Sequence, residues 1–190
     1  MRVIAGKWRS RKLEFPDSDG LRPTSDRVRE TLFNWLQERI PFAKCLDLFA
    51  GSGACGIEAL SRGAGFVSFV DVSPSATAAI KRNLALLGAS EFEIVCKDSL
   101  TWIAAVKKEP QSRYDVVFLD PPFASDLLAR AVKAVEASGT LAEDAYIYIE
   151  SAQEVSSNLL PLNWQMRKAK KAGKVHFYLY QRDEPKSEAK

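Results

Sequence analysis

The stretch Lys44-Cys45-Leu46-Asp47-Leu48-Phe49-Ala50-Gly51-Ser52-Gly53-Ala54-Cys55-Gly56 decides the fold. Cys45 to Ala50 is an apolar run of strand length that empties directly into G-x-G-x-x-G, and the helix-like stretch Ala54 to Arg62 follows. Glycines placed between a strand and a helix let a ligand approach the backbone, and the helix N-terminus offers free N–H groups. The pattern fits a ligand that carries an adenosine.

Outward from this unit the alternation continues. Strand-length apolar runs occur at Gly65 to Asp71, Phe92 to Cys96, Tyr114 to Asp120, Ala145 to Glu150 and Val175 to Tyr180. Between them Ser75 to Leu87, Leu100 to Lys107 and Asp126 to Ala137 space their apolar residues for one helical face. Such alternation predicts an α/β fold, a parallel sheet covered on both faces. Ser73-Pro74 reads as a helix start, Gly88 as its end, and Asp98 or Ser99 as the next cap. Ahead of the sheet, Ser25 or Asp26 can cap a helix running to about Arg39, with Val28, Leu32, Trp35 and Leu36 on one face.

A chain of 190 residues with 46% apolar and 27% charged residues suits one sizeable core. No apolar run approaches the roughly 18 residues a membrane span needs, and the basic start lacks the apolar centre of a signal peptide, so a cytoplasmic location is expected. Cys45, Cys55 and Cys96 are odd in number and lack C-x-x-C spacing, which argues against a disulfide framework or a zinc site. His176, the single histidine, sits in an apolar run and is no candidate base. The net charge of +3 is unevenly spread. Arg2, Lys7, Arg9, Arg11 and Lys12 crowd the start without an acid, and Arg167, Lys168, Lys170, Lys171 and Lys174 form a second cluster. Each reads equally as a solvated surface or as a phosphate footprint. The residues from Arg182 to Lys190 are polar and expected to be disordered.

Three acids follow in order. Asp71 ends the second strand twenty residues after Gly51, where it would bond ribose hydroxyls. Asp47 lies just before the glycine turn, where a carboxylate favours the cationic amino-acid end of S-adenosylmethionine and repels a pyrophosphate. Asp98 is placed to accept from an adenine amino group or simply to cap a helix. The fourth strand delivers Asp120-Pro121-Pro122-Phe123 to the carboxyl end of the sheet. The prolines stiffen the loop and remove two donors, so the Asp120 carboxylate and the Pro121 carbonyl can take both hydrogens of an amino group. Holding the amine that way aims its lone pair at an activated methyl, and positioning alone can then supply most of the rate. Phe123 would stack on an extruded base.

With these motifs in order, the chain resembles the seven-stranded Rossmann-like class I methyltransferases that use an (Asn/Asp)-Pro-Pro-(Phe/Tyr) segment. It resembles most closely the RsmD family of bacterial small-subunit ribosomal RNA guanine-N2 methyltransferases. The closer match rests on Arg2 to Leu13, on Arg22 to Leu36, and on Asp47 to Gly53, besides Asp120 to Phe123. Ala5 stands where family members often carry the first of two glycines.

The resemblance implies a mostly parallel seven-stranded sheet with a small N-terminal β and helical extension over residues 1–40, a methyltransferase domain over 41–182 and a tail over 183–190. It implies cofactor contacts from Asp47, Phe49, Gly51, Gly53, Asp71, Val72, Asp98 and Ser99, and catalysis by Asp120, Pro121, Pro122 and Phe123. Arg2, Lys7, Arg9, Arg11, Lys12, Arg22, Thr24 and Phe123 would meet RNA. The implied partner is 16S ribosomal RNA in a partly assembled small subunit. S-adenosylmethionine would leave as S-adenosylhomocysteine without a metal, and a monomer is expected. The four-residue segment alone also admits an adenine or a protein-glutamine amine as acceptor. A non-catalytic nucleic-acid module and a nicotinamide dehydrogenase are the readings from other classes.

Overall fold

The computed structural model describes residues 1–14, 25–106, 113–122 and 126–183. Seven strands form one sheet: β1 (Lys44–Asp47), β2 (Phe66–Asp71), β3 (Phe92–Cys96), β4 (Tyr114–Leu119), β5 (Leu141–Ser151), β6 (Trp164–Ala172) and β7 (Val175–Arg182). Among the described residues five α-helices accompany them: α1 (Asp26–Trp35), α2 (Ala54–Ser61), α3 (Pro74–Leu87), α4 (Ser99–Ala105) and α5 (Leu127–Ser138).

The sheet order is β3-β2-β1-β4-β5-β7-β6. Pairing is parallel from β3 through β5 and antiparallel where β7 meets β5 and β6. The chain leaves β1 toward β2 and β3, then returns to add β4 on the other side. That reversal opens a crevice beyond the carboxyl ends of β1 and β4, the place where open α/β sheets bind ligands.

Each face of the sheet carries its own core. Leu32 and Phe33 of α1, Ile57 of α2, and Ile80 and Leu84 of α3 pack with Phe69 and Phe118 on one side. Ile103 of α4 and Val132 and Val135 of α5 pack with Leu46, Val117 and Ile147 on the other. At roughly 1.5–3 kcal/mol per fully buried aliphatic or aromatic side chain, these two layers fix the sheet that presents the site.

The caps read from sequence are present. Ser25, Ser73 and Asp98 each accept from a backbone amide three residues on, and Gly88 closes α3 at φ 64°. Helix α1 ends earlier than expected, at Trp35, with Leu36 as its C-cap. Strand β6 was not among the apolar runs, because its burial is confined to Trp164 and the rest faces solvent. Arg182 extends β7 instead of starting a disordered tail, since its guanidinium bonds both oxygens of Glu136 at 3.1 Å. The Asp183 amide bonds the Asn163 carbonyl at 2.7 Å.

Residues 1–14 lie against α2 and α3. Val3, Trp8 and Leu13 join the core shared with α1. Glu58, 1% exposed on α2, accepts from the Ile4 amide at 2.8 Å and the Ala5 amide at 3.0 Å. Its other partners are Arg62 at 2.7 Å and the buried Arg29 at 3.9 Å. Gly6 is required at its position: φ is +81°, and an added Cβ would lie 1.9 Å from the Ser61 carbonyl oxygen.

Candidate active site

The glycine turn occupies the crevice end of β1. Gly51 and Gly53 adopt positive φ, 49° and 72°, so the chain reverses within a few residues and α2 starts with its amides facing the carboxyl ends of the strands. Gly56 acts differently, through packing. An added Cβ there would lie 2.2 Å from the Phe69 ring, so only glycine lets α2 sit this close to β2.

Two acids brace that turn. Asp71 Oδ2 accepts from the Gly51 amide at 2.7 Å, and Oδ1 from the Ser73 amide at 2.8 Å. Asp47 is 4% exposed, and its Oδ2 accepts from the Gly56 amide at 2.9 Å. Burial pushes the Asp47 carboxyl up to about 7; the Gly56 amide opposes the rise and Asp71 adds to it. A cation brought against Asp47 would restore its carboxylate, whereas an anion would drive it further toward the neutral acid.

Around this pair, Phe49 is half-buried and Val72 is 67% exposed beside Asp71. The buried Ser99 hydroxyl donates to the Leu48 carbonyl at 2.5 Å. Asp98 is exposed, and its Oδ1 caps α4 through the Thr101 amide at 2.8 Å and hydroxyl at 2.7 Å. Those bonds to Thr101 lower its pKa.

Asp120 is half-buried at the end of β4, with Pro121 buried and Pro122 exposed after it. Phe123 lies outside the described residues, as do Arg22 and Thr24. Level with Asp120 on the neighbouring strand is a polar group that sequence reasoning missed. Glu150, 6% exposed near the end of β5, accepts from the buried Tyr148 hydroxyl at 2.9 Å. Burial raises the Tyr148 phenol, with Glu150, Cys55 and Asp120 adding to it, so it stays a donor. The signal was available, since Glu150 ends an otherwise apolar run; Glu58 in α2 and Arg29 in α1 are the same kind of exception, one charge on a buried face.

The crevice therefore gathers Asp47, Gly51, Gly53 and Asp71, with Asp120 across the reversal point. It does not gather the basic start. Arg2, Lys7, Arg9, Arg11 and Lys12 are all exposed. The Lys7 amide bonds the Ser61 carbonyl at the last residue of α2, and Arg11 reaches the Leu86 carbonyl near the end of α3. Those helices start at the crevice and are 8 and 14 residues long, so Lys7 and Arg11 attach about 12–21 Å from it. Cys45 and Cys55 are buried as core filler, while Cys96 is exposed. Among the described residues no group of three or more His, Cys, Asp or Glu could hold a metal ion. Among them too, no helix is long and apolar enough to cross a membrane.

Comparison with known proteins places this geometry. Residues 1–181 match a family model described as conserved hypothetical protein 95. The chain is 44% identical over 183 residues to ribosomal RNA small subunit methyltransferase D of Escherichia coli, covering 96% of this chain and 90% of that protein. The protein of the same name from Haemophilus influenzae is 43% identical, with 95% and 93% covered. A solved Escherichia coli structure, described as a candidate methyltransferase, aligns at TM-score 0.87 and 42% identity over 96% of this chain and 98% of that one. The family model spans nearly the whole chain and both named relatives are matched over nine-tenths of their length; the chain belongs to the ribosomal RNA small subunit methyltransferase D family.

Proposed function

We propose that this protein transfers a methyl group from S-adenosylmethionine to the exocyclic N2 amine of a guanine in small-subunit ribosomal RNA. Family membership supports methylation of ribosomal RNA, and the observation that carries the chemistry is Asp120-Pro121-Pro122 beside the Asp47 and Asp71 crevice.

The residues present fit the cofactor. Asp71 would hold its ribose, the exposed Val72 would lie against its adenine, and Asp98 and Ser99 would border the same end. Asp47, sealed from water, would face its cationic amino-acid group, and Gly51 and Gly53 would give it backbone clearance. When bound, the cofactor supplies a methyl already activated on a sulfonium.

The chain's own task is then to position the amine. The Asp120 carboxylate and the Pro121 carbonyl accept its two hydrogens and orient its lone pair, and the two prolines keep the acceptors from relaxing. The Tyr148–Glu150 hydrogen bond, on the strand next to Asp120, would stiffen the sheet that carries the loop. The N2 proton is lost to water after transfer. The same partner would place the protein in the cytoplasm, with residues 1–40 as an RNA-facing extension of the methyltransferase domain.

Two measurements separate this from its rivals. Calorimetry is expected to show S-adenosylmethionine binding and no NAD binding. Digestion of RNA labelled from radioactive cofactor is expected to release N2-methylguanosine, and N6-methyladenosine would contradict the base assignment.

A further inference from the structure

The second basic cluster, read from sequence only as a run of charge, forms strand β6 and the turn into β7. From Trp164 to Val175 there are five cations and no acid. Arg167 is engaged by Asp183 at 3.3 Å and by Gln181 at 3.0 Å. Lys168, Lys170, Lys171 and Lys174 are exposed, and among the described residues none has an acidic partner within ion-pair distance.

Strand register fixes where these lysines are. Leu119 of β4 is level with Ile149 of β5, which brings Asp120 level with Glu150. Glu150 is level with Phe177 of β7, and Phe177 with Lys170 of β6. One row thus runs from Asp120 through Glu150 and Phe177 to Lys170, three strand spacings, or about 14 Å. Lys171 is level with His176 and Lys174 sits in the turn, so the hairpin tip is at the crevice edge of the sheet. The basic start, by contrast, is anchored at the far ends of α2 and α3.

Side-chain alternation turns Lys168 and Lys170 to the face of Leu179 and Phe177, and Lys171 to the opposite one. The turn is open, since a Cβ added at Gly173 would meet nothing within 4 Å. Lysines along β6 also protect an exposed sheet edge, but Lys174 lies in the turn beyond the strand, where edge protection asks for no charge. A single sign at the edge nearest the reacting loop points to a polyanion.

We propose that the β6–β7 hairpin tip binds the phosphate backbone of the RNA segment flanking the methylated nucleotide. The proposal rests on the reading of the protein as an RNA methyltransferase and adds the surface that presents the substrate. Phosphate contacts of this kind set register and orientation without reading bases.

The test uses the full chain with Lys170→Ala, Lys171→Ala and Lys174→Ala combined, and a short fluorescein-labelled single-stranded RNA as probe. Each single-strand phosphate contact contributes about 0.7 to the slope of log affinity against log salt, so the triple variant is expected to lower that slope by about 2. Affinity near physiological salt should fall about tenfold or more. Calorimetric affinity for S-adenosylmethionine should be unchanged, which shows that the variant is folded. An unaltered slope and affinity overturns the proposal. So does displacement of the RNA by polyglutamate at equal charge, which would assign the surface to an acidic protein. Binding needs no turnover, so hairpin-dependent RNA binding without methylation would sink the proposed reaction and leave this surface standing.

Discussion

Asp47 lies sealed beneath the glycine turn, and its Oδ2 accepts the Gly56 amide hydrogen at 2.9 Å. Burial holds its carboxyl up at about 7 in the folded chain, against 3.8 for an ordinary aspartate. Between those values the folded state holds a proton that the unfolded state has released, so stability falls as pH rises through this window. Asp47→Asn removes that dependence. The variant is expected to have a higher thermal midpoint than the wild type, by a margin that grows from about pH 4 to about pH 7 and is level above. It should also lose about tenfold or more in S-adenosylmethionine affinity, because the carboxylate proposed to face the cation is gone. Scanning calorimetry at pH 5 and pH 8 with cofactor titration checks both; a lower midpoint at pH 8 would contradict the account.

Glu58 joins the first residues of the chain to α2. Glu58→Leu leaves the buried Arg29 with Asp26 as its remaining carboxylate, removes the 2.7 Å partner of Arg62 and takes the acceptor from the Ile4 and Ala5 amides. Removing one partner from a buried charge network of this kind costs about 3–5 kcal/mol. Urea unfolding should report that loss, and hydrogen exchange should show the two amides unprotected well below the global unfolding energy. Retained protection at Ile4 and Ala5 would mean that something else holds the arm.

Gly56→Ala drives a methyl into the Phe69 ring. Overpacking of this kind costs about 1–3 kcal/mol, and because α2 begins at the glycine turn, cofactor affinity should fall with stability. Phe69→Leu opens room on the same spot. The double variant is expected to be more stable than the two separate losses predict, and additive losses would show that the close approach of α2 to β2 does not set the turn.

Legibility in the sequence followed burial. Strands β2 and β4 were readable to within a residue because both faces of the central sheet are apolar, and β3, at the sheet edge, from its short apolar run Phe92 to Cys96. The Ser73-Pro74 start and Gly88 end of α3 were readable because those residues act locally, Ser73 through its hydroxyl and Pro74 and Gly88 through their backbone. Strand β6 was not, since β7 alone supplies its pairing and solvent takes both its faces, leaving no alternation to detect. The acids of the crevice were legible from spacing along one strand–turn–helix unit. Glu150 showed only as a lone charge ending an apolar run, because its place level with Asp120 depends on the β4–β5 register. The basic start was legible as charge, and its anchorage far from the crevice was not, because that depends on Glu58 and Ser61 in another element.

The proposed reaction turns on Asp120. Small ribosomal subunits lacking the modification, incubated with radiolabelled S-adenosylmethionine and then digested to nucleosides, compare the wild type directly with Asp120→Ala. The wild type is expected to place label in N2-methylguanosine. The variant should do so about 10²–10³ times more slowly, the loss typical of removing one positioned hydrogen-bonding group, with cofactor affinity unchanged. Full-rate labelling by Asp120→Ala, or label appearing in any other nucleoside, would contradict the account.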